Sequence, residues 1–479
     1  MQTNRVASNS IFVLAAEAID FVMRFALVVF AARALGDEDF GKISFAIAFG
    51  TLFLILSDLG LNHLLIREIA KKPQQVQRLI GSGLVIKLGL AGLTFLGIFV
   101  AAQFTHKPAN VLYSVYILAA MLILGSFGDF FTTVFQGFQQ LKYDAVASMI
   151  MSISNTVIGV IILVLGGDFL DLSWVYLISR LLRLVYCLVI VRFKFTQIKL
   201  VFEKTLTKFF LKEGTGFGII RFFSTIYTYV STTMLSLMVG DAAVGWYNVA
   251  YRLIFAMMVL PMGVTRAVYP ALSASFNSNP QMFNNIFAKT FKLMFITGTV
   301  AATFLSMLAE PIIVTLFGED YRNAAGALRI LVWATAFYYI GTIMTHTSRA
   351  TGHQNYTARV VGASAILNVI LNFILIPRYS YVGASFAALM SEFLTFALHL
   401  WFVERHILRT PFFRLLPKVV IINLVTLALL WLLIDFPLLT TIGFGLPVTA
   451  ALVYVTRFFS KEEIVTLLST MKSLKALKG

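Results

Sequence analysis

Long apolar runs alternate with short polar breaks along the whole chain. The runs fall near residues 10–34, 42–65, 79–104, 110–136, 143–166, 172–193, 213–239, 243–271, 286–309, 325–348, 356–377, 382–404, 415–435 and 438–458. A helix crosses a bilayer with roughly 20 apolar residues, so the pattern predicts an all-α membrane protein with fourteen transmembrane helices. It predicts twelve if the last two runs form a re-entrant pair. The stretch "MQTNRVASNSIFVLAAEAIDFVMRFALVVFAARALG" is too long and too charged for a cleaved signal peptide and reads as a retained first helix.

The breaks alternate in sign. One set carries Arg67, Lys71, Lys72 and Arg78, then Lys142, then Arg192, Lys194, Lys199, Lys204, Lys208 and Lys212. It continues with Arg349, with Arg405, Arg409, Arg414 and Lys418, and with Lys461, Lys472, Lys475 and Lys478. The other set carries Asp37, Glu38, Asp39, Asp168, Asp171, Asp241, Glu319 and Asp320. The positive-inside rule puts the basic set in the cytoplasm, and with it both termini.

The acidic breaks also repeat. "LGDEDFGKISFA" at 35–46 returns as "VGDAAVGWYNVA" at 239–250, with Asp37 and Asp241, and Gly41 and Gly245, each 204 positions apart. Asn155 and Asn368 match at a spacing of 213, Gly137 and Gly352 at 215. Six spans per copy is an even number, so both copies enter from the same side. The expected architecture is two parallel six-helix lobes facing a central cavity, plus two C-terminal helices. The expected divisions are 1–198 for spans one to six, 199–410 for spans seven to twelve, and 411–479 for spans thirteen and fourteen with a basic tail. The longest break, around 194–212, is basic and falls where a linker between halves belongs.

Composition agrees with this class. Hydrophobic residues make up 59% of 479 and charged residues 13%, whereas soluble domains average about 45–50% and 25%. The net charge of +16 does not point to nucleic acid, because the cations follow topology and form no single basic face. The lone Cys187 excludes an internal disulfide and a cysteine cluster. The six histidines show no metal-ligand spacing, so no metal is expected. No Walker A loop, no G-x-S-x-G elbow and no long external loop is present, and the chain is not expected to be an enzyme.

The external "LG…D…FG" turn, "SDLGLNHLLIREIA" at the end of span two, "VGWYNVAYRL" in span eight and "LNFILIPRYSYVGASFA" joining spans eleven and twelve resemble the polysaccharide-unit flippases. These are the PST-type members of the multidrug/oligosaccharidyl-lipid/polysaccharide exporter superfamily. The resemblance covers nearly the whole chain, more loosely in spans thirteen and fourteen. It implies movement of an undecaprenyl-pyrophosphate-linked oligosaccharide between leaflets of the plasma (inner) membrane, beside membrane lipids and a polymerase with other polysaccharide-assembly proteins. No cofactor is expected, and H⁺ or Na⁺ is the candidate coupling ion. The alternative within the superfamily is a multidrug cation antiporter, which favours twelve spans and an acidic cavity.

Ionisable groups at membrane depth are costly and normally face a cavity or a partner. Glu17, Asp20 and Arg24 lie on one face of span one. Arg24 falls eleven residues back from Leu35, near mid-depth. Lys87, Arg183, Arg252 and Glu392 count to similar depth, while Glu17, Asp58, Asp129 and Arg221 count to the cytoplasmic half. In the family, spans one, two, seven and eight line the cavity. Arg24, Arg221 and Arg252, with Lys87 behind them, are therefore the candidates for holding the phosphate head group, which the guanidinium fork suits. Glu17, Asp20 and Asp58 are candidate coupling-ion or gate carboxylates; alternatively they only neutralise Arg24. Lys289 and Lys292 read as interfacial anchors, and His399 as a packed residue.

Overall fold

The computed structural model describes residues 18–213, 218, 221–460 and 463, together with the helical backbone of 2–17, 214–217, 219 and 220. Every regular element among them is helical. In chain order these are α1 Gln2–Leu54, α2 Leu61–Lys71, α3 Val76–Gln103, α4 Ala109–Gly137, α5 Leu141–Val164, α6 Phe169–Lys194 and α7 Lys204–Met238. Then follow α8 Asp241–Ser278, α9 Pro280–Met307, α10 Ala309–Phe317, α11 Ala324–Ala350, α12 Gln354–His406, α13 Phe412–Leu432 and α14 Leu438–Val455.

Helices α1 and α12 are 53 residues each, about 80 Å at 1.5 Å per residue, far more than a bilayer core of about 30 Å. Each is two spans joined at one non-helical residue, Gly36 (φ 74°) in α1 and Ser380 (φ 53°) in α12. Among the described residues, eleven helices are long and apolar enough to cross. Counting α1 and α12 twice and adding the 35-residue α7 gives the fourteen expected spans; α10, with nine residues, is too short.

Local sequence explains the starts of several helices. Asp168 caps α6: its carboxylate accepts from the backbone N–H of Leu170 (2.8 Å) and of Asp171 (3.0 Å), while Asp171 accepts from the N–H of Asp168. This reciprocal box satisfies amides that a helix end leaves orphaned. Asn279 caps α9 through the Met282 N–H at 2.9 Å, with Pro280 at the first helical position, where its missing N–H costs nothing.

The chain forms two compact units. The first is Met1–Asn248 with Asn372–Tyr381; the second is Val249–Leu371 with Val382–Gly479. In the first, α4 lies between α6, α1 and α2, and α5 packs on α1 and α6. One apolar cluster, including Leu65, Ile69, Phe131, Phe135 and Val191, fills the end nearer the basic breaks. Another, including Ala31, Phe45, Val115 and Leu172, fills the end nearer the acidic breaks. In the second unit α9 packs on α11 and α13, with Phe287, Phe291, Ile340 and Ile422 buried between them.

Lipid tails are as apolar as leucine, so burial alone does not drive such helices together. Close packing and polar contacts do. Ser114 pairs with Ser173 at 2.8 Å between α4 and α6, and Tyr339 of α11 donates to the Met257 carbonyl of α8 at 2.8 Å. Buried threonines such as Thr94, Thr265 and Thr347 return their hydroxyls to the carbonyl four residues back.

Candidate functional site

The second span does not run straight through as the 42–65 apolar run predicts. It breaks at "SDLG": a 3₁₀ turn at Ile55–Ser57 is followed by Leu59 (φ 43°) and Gly60 (φ 82°), and α2 then resumes as far as Lys71. Polar contacts replace the lost helical bonds. The Ser57 hydroxyl meets that of Ser126 on α4 at 2.6 Å, and the Asp58 carboxylate accepts weakly from the Asn62 N–H at 3.4 Å. The break leaves Asp58 as a buried anion at the start of α2, where the helix dipole favours negative charge.

Asp58 gathers two of the predicted cations. Arg221 of α7 donates to it at 2.9 Å, and the Lys87 ammonium on α3 lies 3.6 Å from its other oxygen. Lys87 is completely buried, and its ammonium makes no hydrogen bond among the described residues. The Arg221 side chain is 48% exposed, so one edge of its fork is held by Asp58 while the other stays open.

A second pair lies on α1. Arg24 donates to Asp20 one turn earlier, at 2.9 Å through Nε and through a second guanidinium nitrogen, and Ser152 of α5 also donates to Asp20. Arg24 remains 54% exposed. Glu17 lies outside the residues whose side chains are described.

A third pair joins α6 to α4. Arg183 donates to Asp129 at 2.7 Å and lies 3.9 Å from Asp144, which accepts from Gln136 at 2.9 Å. One turn before Arg183 stands Arg180, partly buried. Sequence spacing gave no reason to choose it, although two arginines three apart inside "LISRLLRLV" were visible. Gly125 and Gly128 of α4 leave room for the two guanidinium groups: a Cβ built on Gly125 would lie 3.2 Å from Nη1 of Arg180, and one on Gly128 3.7 Å from Nη1 of Arg183.

The second unit holds Arg252, exposed and without a hydrogen bond or ion pair among the described residues, and Glu392, buried. His399 is fully buried and bonded to the Thr395 carbonyl at 2.9 Å, as a packed residue should be. Lys292 pairs with Glu463 at 2.9 Å.

The repeated acidic turns meet inside the first unit. Gly36 and Gly240 both take positive φ, 74° and 141°, so each turn reverses the chain just before its aspartate. The helices that follow then cross at Gly41 and Gly245. A Cβ on Gly41 would overlap the Asp241 carbonyl, 2.6 Å from its carbon; one on Gly245 would overlap the Asp37 carbonyl, 2.9 Å from its carbon. Only hydrogen fits at either glycine. Lys107 pins the second turn, bonding Asp241 at 2.8 Å and the Ser236 carbonyl at 3.1 Å, and Lys42 is paired with Glu38 and Asp39. Lys42 and Lys107, two cations among the acidic breaks, are thus locally neutralised.

At the opposite end, the 195–203 segment lies on the start of α3. Its Lys199 carbonyl occupies the space a side chain at Gly81 would need. Arg78 grips Glu203 with two nitrogens, one at 2.6 Å, and holds that carboxyl below the usual carboxylate range.

Many helices long and apolar enough to cross a membrane, with partnered charges along them, define a polytopic membrane protein. The chain belongs to the polysaccharide biosynthesis protein family, whose model matches residues 6–276; the MatE model matches 218–374. It is 22% identical over 390 residues to a Shigella dysenteriae protein named "Putative O-antigen transporter", covering 81% of this chain and 97% of that one. It is 23% identical over 397 residues to the Haloferax volcanii "Probable low-salt glycan biosynthesis flippase Agl15", covering 82% of each. In fold it resembles the lipid II flippase MurJ in an inward closed conformation, with a TM-score of 0.72 at 18% identity over 93% of this chain and 99% of that one.

Proposed function

We propose that this protein carries an undecaprenyl-diphosphate-linked oligosaccharide from the inner to the outer leaflet of the plasma membrane by alternating access, for surface polysaccharide assembly. Both termini lie in the cytoplasm, and the chain performs no catalysis. The cargo travels among membrane lipids and passes afterwards to a polymerase.

One observation carries this reading. Among the described residues, the charges set along the helices of the first unit are five cations, Arg24, Lys87, Arg180, Arg183 and Arg221, and four carboxylates, Asp20, Asp58, Asp129 and Asp144. A guanidinium left partly open at membrane depth is costly unless an anion visits it. Arg24 and Arg221 each offer an open guanidinium edge and hold the head group by charge-assisted bonds, with Lys87 supporting them through Asp58; Arg252, without a hydrogen bond or ion pair among the described residues, is a further candidate for the same anion. Asp20 and Asp58 act as counter-ions that orient Arg24 and Arg221. A coupling H⁺ or Na⁺ would compete with those cations for the same oxygens.

The MatE match over 218–374 favours, as a second reading, a multidrug cation antiporter. That activity needs an acidic path, and the open guanidinium edges of Arg24 and Arg221 oppose it. The test is the double substitution Arg24→Gln with Arg252→Gln. Surface glycan is expected to disappear while the protein stays at wild-type level in the membrane and the lipid-linked intermediate accumulates. Full glycan production by that variant would refute the cationic-site reading.

A further inference from the structure

Arg180 stands apart from the other cations of the first unit. It lies eleven residues from Phe169 at the acidic-break end of α6, about 16 Å along the helix at 1.5 Å per residue. Arg24 stands eleven residues from the same end of its own span, so the two count to one depth. The charges that reach Arg180 are those of Asp129, Arg183, Arg24 and Asp20. Both carboxylates are already engaged, Asp129 by Arg183 and Asp20 by Arg24 and Ser152. Arg180 itself makes no ion pair or hydrogen bond among the described residues. Its guanidinium rests against the bare backbone of Gly125, with a would-be Cβ 3.2 Å from Nη1 and 3.4 Å from Cζ.

A structural arginine in a membrane normally spends its five donors on a carboxylate or on carbonyls. This one is seated by a glycine notch, is only partly buried, and keeps its donors. Its neighbour Arg24 presents an open edge at the same depth. Two such forks suit a ligand with two linked anionic phosphoryl groups better than a ligand with one.

We propose that Arg180 is a second phosphoryl contact, which together with Arg24 distinguishes a diphosphate-linked lipid from a monophosphate-linked one. This rests on the cargo assignment made above and adds to it the residue that reads the second phosphate. Gly125 is the positioning residue: it touches no ligand but fixes where the guanidinium lies.

The experiment measures binding of polyprenyl diphosphate, polyprenyl monophosphate, phosphatidylglycerol and inorganic pyrophosphate to the purified full-length protein in detergent. Wild type should bind the diphosphate lipid about tenfold more tightly than the monophosphate, the gap expected of one lost charge-assisted pair. Arg180→Gln should remove that gap by weakening diphosphate binding more than monophosphate binding, and Arg180→Lys should restore part of it. Gly125→Ala, which keeps the charge but displaces the guanidinium, should narrow the gap as well, so the idea remains testable if Arg180→Gln folds poorly. An undiminished preference for diphosphate in both Arg180→Gln and Gly125→Ala would overturn the role of Arg180. Phosphatidylglycerol binding that falls in parallel with diphosphate would overturn it too, by making Arg180 a general phospholipid contact. Wild type that binds neither polyprenyl phosphate would instead overturn the cargo assignment itself.

Discussion

Placing a methyl group on Gly41 or Gly245 should prise apart the two helix starts that the repeated turns bring together. In the structure a Cβ on Gly41 would sit 2.6 Å from the Asp241 carbonyl carbon and one on Gly245 2.9 Å from that of Asp37. Ordinary contact is about 3.5–4.0 Å, so clearing the carbonyl carbons alone needs about 1 Å of separation, and the nearer carbonyl oxygens need more. The obstacles are main-chain atoms, which cannot rotate away as a side-chain tip does. Overpacking of this kind costs about 1–3 kcal/mol, and Gly41→Ala alone should approach the upper figure. Because one methyl opens the space the other needs, the double variant should lose less than the sum of the singles, a coupling of at least about 0.5 kcal/mol. Thermal unfolding of purified protein reads this directly, since about 3 kcal/mol corresponds to roughly 6–12 °C for a unit of this size. A comparison variant, Gly89→Ala inside α3, has open space around its Cβ and no positive φ to strain, so it should be neutral or slightly stabilising. Melting temperatures for Gly41→Ala and Gly245→Ala no lower than that of Gly89→Ala, or strictly additive losses, would refute the close-approach reasoning.

Two further outcomes follow from the ion pairs. Asp58→Asn should destabilise the first unit by about 3–5 kcal/mol, since it leaves Lys87 buried without a counter-charge, and Asp58→Asn with Lys87→Met should regain much of that loss; melting curves of the three variants decide it, and a double variant no better than the single would contradict the pairing. The Arg78–Glu203 contact should loosen on acidification. Its carboxyl titrates lower in the fold than in the free chain, so the stabilisation is complete above the ordinary Glu value of about 4.3 and is lost as pH falls through the lowered one. Hydrogen exchange in 195–203 should therefore stay constant from pH 8 to 5, after correction for intrinsic rates, and rise only below about 4.

Much of the architecture was legible in the chain because a membrane leaves little choice. Backbone groups in lipid must bond within their own segment, so an apolar run of adequate length is a helix, and the sign of each break follows topology. Repetition at a spacing of 204 was equally visible in Asp37, Gly41, Asp241 and Gly245. Spacing along a helix also anticipated the Asp20–Arg24 pair, which needs only one turn of backbone.

Contacts across helices were another matter. That Asp58 would collect both Lys87 and Arg221, 29 and 163 residues away, depends on a break in the second span that an apolar run does not announce. Arg180 and Arg183 look alike in "LISRLLRLV"; only the positions of Asp129 and the Gly125 notch on α4 leave one paired and the other with free donors. The two repeated glycines read as turn residues, yet their role is to let two backbones touch. Hydropathy is a property of single segments and is written in the sequence, whereas charge compensation and close approach are properties of pairs, decided only once the helices are packed.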